Sequence, residues 1–152
     1  MATSIRLRPW QKAALEKLLA KDADNFLAVA TPGAGKTTFA LTVAAQYLSS
    51  GLCQGLFVVA PTQHLKVQWA EAAHRIGLHL DDDWAASDGE LPSDMHGIVT
   101  TYQQVATSAA MLRRLTAGSF VILDEVHHAG DDKSWGESVL NAFGPARKRL
   151  SL

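Results

Sequence analysis

The sequence predicts an α/β fold in which a mainly parallel sheet is covered by helices on both faces. Three observations carry this. The runs Phe26-Leu27-Ala28-Val29, Leu56-Phe57-Val58-Val59-Ala60 and Phe120-Val121-Ile122-Leu123 have the length and continuous apolarity of strands buried on both sides. The stretches between them place apolar residues at helical spacing, and strand alternating with helix is the pattern of parallel crossover units. No internal repeat interrupts that alternation.

Taken in order, a first helix is expected over residues 9–22. Pro9 suits its first position, and Trp10, Ala14, Leu15, Leu18 and Leu19 form one apolar side. A strand follows over 26–30. The helix opened by Lys36 gathers Phe39, Ala40, Val43, Ala44 and Tyr47 on one side until Gly51 stops it. The strand over 56–60 is closed by Pro61. Thr62 then stands where a helix N-cap would, ahead of Leu65, Trp69, Ala72 and Ile76 at core spacing, with Gly77 ending that helix. Residues 78–95 carry Asp81, Asp82, Asp83, Asp88, Glu90 and Asp94 and neither lysine nor arginine. They read as a solvated surface excursion with one short strand, in preference to a metal site. Further strands are expected over 97–102 and 120–123, with a helix over 103–118 between them and a short helix over 135–143 after them. The closing alternation Arg147-Lys148-Arg149-Leu150-Ser151-Leu152 has the look of a strand cut short.

Composition fits one domain spanning residues 1–152, since 152 residues that are 47% hydrophobic can bury a core. The single cysteine, Cys53, rules out a disulfide framework, fits a reducing compartment and reads as a small core residue. No apolar run is long enough to span a bilayer, and Met1-Ala2-Thr3-Ser4-Ile5-Arg6 lacks a signal-peptide core, so a soluble, cytoplasmic protein without a membrane partner is expected. His64, His74, His79 and His96 show no zinc-ligand spacing. A formal net charge of −1 does not advertise nucleic-acid binding, which would have to rest on local residues.

The chemistry concentrates in two places. Ala30-Thr31-Pro32-Gly33-Ala34-Gly35-Lys36-Thr37-Thr38 lies between an expected strand and an expected helix, the setting of a phosphate-binding loop. Gly33 and Gly35 allow the tight turn that aims backbone amides at phosphate oxygens. Lys36 reaches the terminal phosphates, and the Thr37 hydroxyl can ligand Mg²⁺. Ala30 stands where the commoner pattern has its first glycine, so the match is to an A-x-x-G-x-G-K-T variant. Far downstream, Phe120-Val121-Ile122-Leu123 runs into Asp124-Glu125-Val126-His127-His128, a buried strand ending in two acids. Asp124 is suited to hold Mg²⁺ through water and Glu125 to orient and deprotonate the attacking water. A strand that simply ends in solvated acids is the alternative.

Together these motifs resemble the N-terminal RecA-like lobe of superfamily two helicases and translocases. The branch is the DExH group, which includes type I and III restriction-enzyme motor subunits and repair helicases. The resemblance covers nearly the whole chain. Leu7-Arg8-Pro9-Trp10-Gln11 looks like the Q-type motif, which implies that Gln11 reads the adenine edge with Arg8 nearby. Ala30 to Thr38 looks like motif I, and Ala60-Pro61-Thr62-Gln63-His64-Leu65 with Gln68 and Trp69 like motif Ia. Thr100-Thr101-Tyr102 looks like the strand-end element that touches the nucleic-acid backbone, and Asp124 to His128 like motif II. His127 in the fourth position of motif II points away from DEAD-box RNA helicases.

The resemblance implies a three-layer RecA-like P-loop NTPase fold, incomplete at its C-terminus. It also implies ATP and Mg²⁺ as cofactors. The ATP contacts would come from Arg8, Gln11, Pro32, Gly33, Ala34, Gly35, Lys36, Thr37 and Thr38. Lys36, Asp124 and Glu125 would be the catalytic set, with Thr37 and Asp124 at the metal. It implies nucleic-acid contacts from Pro61, Thr62, Thr100 and Thr101, DNA being favoured over RNA, and a coupling role for His127 and His128. Read without it, Thr62 serves equally as a helix cap, Thr100 and Thr101 as ordinary strand residues, and Trp10 and Trp69 as core anchors. In the family, arginines of a second RecA-like lobe complete hydrolysis, and the expected motif III would begin where this chain ends. The expectation is therefore a fragment that binds Mg-ATP and has little activity alone. A P-loop NTPase acting on another substrate class and a non-hydrolysing nucleotide or DNA-binding module are the alternatives.

Overall fold

The computed structural model describes residues 25–27, 35–85, 90–91, 94–124 and 141–152. The expected first helix with Arg8, Trp10 and Gln11 lies outside them, as do Pro32, Gly33 and Ala34 and the segment carrying Glu125, His127, His128 and Trp135. In chain order the elements are β1 (Asn25–Leu27), α1 (Lys36–Ser49), β2 (Leu56–Ala60), α2 (Gln63–Arg75), β3 (Leu80–Asp81), β4 (Gly97–Thr101), α3 (Tyr102–Leu115), β5 (Phe120–Leu123) and β6 (Lys148–Ser151). The strands form one six-stranded sheet in the order β1-β6-β5-β2-β4-β3, and every pairing is parallel.

Period-two alternation sorts the strand side chains between two cores. Leu56, Val58, Ala60, Val99, Phe120, Ile122 and Leu150 point to one face, where they meet Phe39, Val43 and Tyr47 of α1 and Trp69 and Ala73 of α2. Phe57, Val59, Ile98, Val121 and Leu123 point to the other, where they meet Tyr102, Val105 and Leu112 of α3 together with Phe143. The two layers of helix explain why β2 and β5 are apolar throughout and why every residue of β4 is buried: these strands have no solvent-facing side. α1 and α2 end where expected, with Gly51 and Gly77 taking the left-handed φ values of 78° and 84°, whereas α3 stops at Leu115, short of the expected 118.

The structure also departs from the sequence reading at four places. The described acids of the 78–95 segment, Asp81, Asp82, Asp83, Glu90 and Asp94, lie at or near the surface, yet Leu78, Leu80 and Trp84 are buried. Trp84 packs against the α3-side core, its indole N–H donating to the Glu90 carbonyl at 3.1 Å, so the excursion is anchored rather than merely solvated. In α2 the buried line runs through Lys66, Trp69 and Ala73, with Leu65, Ala72 and Ile76 only flanking it. The helix is thus rotated by about one position from the apolar pattern. The helix expected from Gln103 begins at Tyr102, because Thr101 ends β4 and caps α3 at once. Finally, the closing alternation is β6, an interior strand between β1 and β5. The Arg149 guanidinium beside it donates to the carbonyls of Phe143 and Ala146 at 2.8 and 3.1 Å, satisfying acceptors at a helical turn that ends at residue 143.

Two expectations follow from this packing. Gly97 lies in register with Leu56, and a Cβ there would collide with the Leu56 backbone. Gly97→Ala is therefore expected to lose about 3 kcal/mol or more in a denaturant titration. Burial also pushes the Cys53 thiol and the Tyr47 phenol above their ordinary pKa values, the nearby Arg147 charge opposing this in both cases. Below 9.0, the ordinary thiol value, both groups are neutral whether the chain is folded or unfolded. As pH rises through 9.0 and 10.0 the unfolded chain ionises first, so stability is expected to fall. Unfolding midpoints measured across that range should drop, and less so in Cys53→Ala.

Candidate functional site

In an all-parallel sheet every strand ends at the same edge, and here that edge carries the end of β1, the start of α1 and Asp124. Leu27 at the end of β1 and Leu123 at the end of β5 are both level with Ser151 of the intervening β6. The phosphate-loop sequence continues from β1, and Asp124 is the first residue beyond β5. The opening of α1 lies at the same edge. The Tyr47 ring packs edge-on against Phe120, the first residue of β5, with centroids 5.0 Å apart. From Tyr47 the helix climbs about 16 Å back to Lys36. From Phe120 the strand climbs about 13 Å to Asp124. The helix of a right-handed parallel crossover runs antiparallel to its strands, so both climbs go the same way.

Local sequence prepares that end of α1 for an anion. Its N-cap is Gly35 at φ 86°, a conformation that side chains disfavour, and no side chain caps the helix. The first-turn amides and the positive end of the helix dipole therefore point outward, next to Lys36 and Thr37, which are half-buried. Thr38 is exposed, and its carbonyl accepts from the Thr42 hydroxyl at 2.7 Å. An aliphatic ammonium, a hydroxyl and a carboxylate at one sheet edge are the donor set that a magnesium–nucleotide needs.

Asp124 is buried, with only 9% of its surface exposed, and it is held from both faces of the sheet. On the α1–α2 face, the indole N–H of Trp69 donates to Asp124 Oδ2 at 2.8 Å. On the α3 face, the Tyr102 hydroxyl donates to the Asp124 carbonyl at 2.7 Å. The Asp124 amide donates to the Val59 carbonyl at 2.9 Å, extending the β2–β5 ladder by one bond. Alternation along β5 puts the Asp124 side chain on the same face as Phe120 and Ile122, which is the face of α1 and Trp69. Sequence reasoning missed the Trp69 and Tyr102 bonds. A buried indole N–H or phenol has to find an acceptor, and that requirement was the available signal.

The residues that the resemblance assigns to nucleic acid stand along the same edge, Pro61 and Thr62 just beyond β2 and Thr100 and Thr101 at the end of β4. Thr62 is exposed and is the N-cap of α2, its Oγ1 accepting from Leu65 N at 3.2 Å; Pro61 beside it is half-buried. Thr101 caps α3, its Oγ1 accepting from Gln104 N at 3.2 Å, and Thr100 Oγ1 donates to Gln104 Oε1 at 2.7 Å. Both of these threonines are buried. A groove of about 620 Å³ lined by Cys53, Leu78 and His96 lies at the opposite edge, where β2 and β4 begin, away from Lys36 and Asp124. His74, His79 and His96 meet there, with 3.1 Å between the Nδ1 atoms of His74 and His79. Among the described residues, no three histidine, cysteine or acidic side chains are arranged to hold a metal.

Solved structures share this architecture. The SWI2/SNF2 ATPase core of Sulfolobus solfataricus in complex with dsDNA superposes with a TM-score of 0.77 at 20% identity, over 97% of this chain and 32% of that one. The type ISP restriction-modification enzyme LlaGI, a nuclease-deletion mutant in complex with a DNA substrate mimic, gives 0.71 at 21% identity, over 97% and 17%. The Hef helicase domain of Pyrococcus furiosus gives 0.73 at 21%, over 95% and 31%. The fold is that of the N-terminal RecA-like lobe of superfamily two helicases. Within that class, the chain belongs to the family described as the type III restriction enzyme res subunit, which it matches over residues 4–152. It is also 47% identical over 148 residues to an uncharacterized protein of Mycobacterium tuberculosis and 46% identical over 148 residues to one of Mycobacterium leprae. It spans 96% of its own length in those matches and a quarter of theirs.

The bond from Tyr102 is buried and acts on backbone, so its contribution is to stability. Tyr102→Phe keeps the ring and leaves the Asp124 carbonyl without this donor, which is expected to cost about 1–3 kcal/mol in denaturant unfolding.

Proposed function

We propose that residues 1–152 form the N-terminal ATP-binding lobe of a nucleic-acid-dependent ATPase motor, a DNA helicase or translocase. The observation that carries this reading is a buried carboxylate, Asp124, at the same sheet edge as the glycine-capped N-terminus of α1 with Lys36 and Thr37. In this reading the α1 amides and Lys36 hold the β- and γ-phosphates. Thr37 and Asp124 hold Mg²⁺, which when bound neutralises charge on the transferring phosphoryl group. Glu125, next in sequence, orients the attacking water and takes its proton. Pro32, Gly33, Ala34 and Gly35 form the loop, and Gln11 reads the adenine edge with Arg8 nearby, as the resemblance implies.

Hydrolysis in such motors is completed by arginines of a second RecA-like lobe, and the relatives' greater length leaves room for one. By itself this chain is expected to bind Mg-ATP and turn it over slowly. DNA is the favoured partner, because two of the similar structures hold DNA or a DNA mimic. Contacts to its backbone would come from the exposed Thr62 with Pro61, and from backbone groups rather than free hydroxyls at Thr100 and Thr101. His127 and His128 would relay the nucleotide state to motif III, a local hydrogen-bonding pair being the alternative.

Equilibrium binding of a fluorescent ATP analogue to the whole chain tests the assignment. Lys36→Ala is expected to abolish binding, while Glu125→Gln preserves it and lowers whatever hydrolysis the unsubstituted chain shows by about 100-fold or more. Equal loss of binding in both variants contradicts the roles. Nucleotide affinity that responds to duplex DNA at low salt and ceases to respond at high salt supports the motor reading over an NTPase for another substrate class.

A further inference from the structure

We infer that Trp69 is a positioning residue for the metal-binding carboxylate: its indole N–H fixes the orientation of Asp124 and ties that orientation to α2. The inference rests on the function proposed above and extends it to a residue outside the phosphate loop and the acidic pair. The two groups are 55 positions apart in sequence and belong to different elements, and their bond of 2.8 Å is buried at both ends. Trp69 is 3% exposed and Asp124 9%. An indole has one donor and no acceptor, so within this pair it acts only on an oxygen, and the bond to Oδ2 restricts the rotation of the carboxylate plane. Without that donor, a buried carboxylate loses a partner whose absence costs more than the bond is worth.

The geometry explains how a residue two turns into a helix reaches the sheet edge. α2 starts immediately after β2, with its N-cap Thr62 at the edge, and runs away from it. Helical side chains lean toward the N-terminus of their own helix, so Trp69 leans back toward the edge it left, where Asp124 lies. The Asp124 amide is bonded to Val59 O in β2, the strand from which α2 departs, so the strand and the helix hold one residue from two directions. A phenylalanine at 69 fills most of the same volume and cannot make the bond. The Nε1–H is therefore the part of the side chain that acts on the site, and the ring is the part that acts on the core.

The test uses the whole chain, ¹⁵N-labelled, with Mg²⁺-ADP as the probe. Four tryptophans give four indole N–H signals, and Trp69→Phe identifies the one in question. The expected result is that Mg²⁺-ADP moves the Trp69 signal, ADP with EDTA leaves it in place, and Asp124→Asn displaces it before any ligand is added. In parallel, Trp69→Phe is expected to reduce the ratio of ADP affinity with Mg²⁺ to affinity without it by about tenfold, the scale of losses when a metal ligand's orienting partner is removed. Affinity without Mg²⁺ should be unchanged. Parallel loss of both affinities assigns Trp69 a merely structural role and overturns the inference. So does a Trp69 signal unmoved by Mg²⁺-ADP that the unsubstituted chain demonstrably binds, a reading that needs no folded variant. An unsubstituted chain that binds no nucleotide with or without Mg²⁺ overturns the proposed function as well, which separates the two failures.

Discussion

The insertion of β6 between β1 and β5 is the constraint on which the rest of the molecule depends. β1 pairs with β6, and no described residue of β1 bonds to β5 directly. Among the described residues, the strand that leads into the phosphate-loop sequence is therefore attached to the strand that leads into Asp124 through Lys148–Ser151. The parallel register passes the level of Leu27 to Ser151 and of Ser151 to Leu123, and so sets the level at which β1 and β5 end. The attachment is also non-local, since Asn25 pairs with Arg149 across most of the sequence. Closing such a loop costs entropy before any contact rewards it. The devices around β6 fit that requirement: Leu150 is fully buried, the Arg147 and Lys148 amides bond Ser119 O, and Arg149 satisfies carbonyls of the preceding turn.

Asp124 adds a second constraint, because it is an acid where the packing asks for an apolar residue. The bonds from Trp69, Tyr102 and Val59 come from three different elements on both faces of the sheet. The motif Ia helix and the strand-end element after β4 are therefore joined to the acid by direct hydrogen bonds, through Trp69 in one case and Tyr102 in the other. Any displacement of α2 or α3 at the edge is felt at Asp124 without an intermediate chain of contacts. That is a physical connection between the edge proposed for nucleic acid and the edge proposed for nucleotide. They are one edge, shared by neighbouring strands.

Much of this was legible in the sequence, and the unreadable parts share a cause. β2 and β5 could be located to the residue, since continuous apolar runs of four or five bounded by Pro61 or Asp124 admit few other readings. α1 was legible because Phe39, Val43 and Tyr47 fall on one stripe and Gly51 follows. Trp84 was hidden by its company: a segment crowded with aspartates reads as solvated, although one large apolar side chain is enough to pin it to the core. The rotation of α2 was hidden because Lys66 lies on the buried line, where its long stem packs and its charge misleads. The place of β6 in the sheet was not legible at all, because strand order is set by long-range pairing that local periodicity does not encode. Asp124 was singled out from motif chemistry, whereas Trp69 was read as a core anchor and part of motif Ia, with no bond to the acid foreseen.

The Trp69–Asp124 pair also bears on why this edge is built as it is. A buried carboxylate with its donor is at best about neutral for stability when compared with well-packed apolar residues of the same volume, and removing one partner is strongly destabilising. A leucine at 124 and a phenylalanine at 69 would satisfy the core on the α1–α2 face with less risk. The chain instead carries two buried polar groups that depend on each other, at the end of an interior strand, on the face where α1 presents its uncapped first turn. Local choices that run against packing are expected where a site has work to do, and consistency elsewhere makes the exception stand out. The fill of β2 and β5 is apolar at every position, and the acid follows directly on the last residue of β5. The cost of burying Asp124 thus falls at the end of an apolar strand, at the sheet edge where α1 begins.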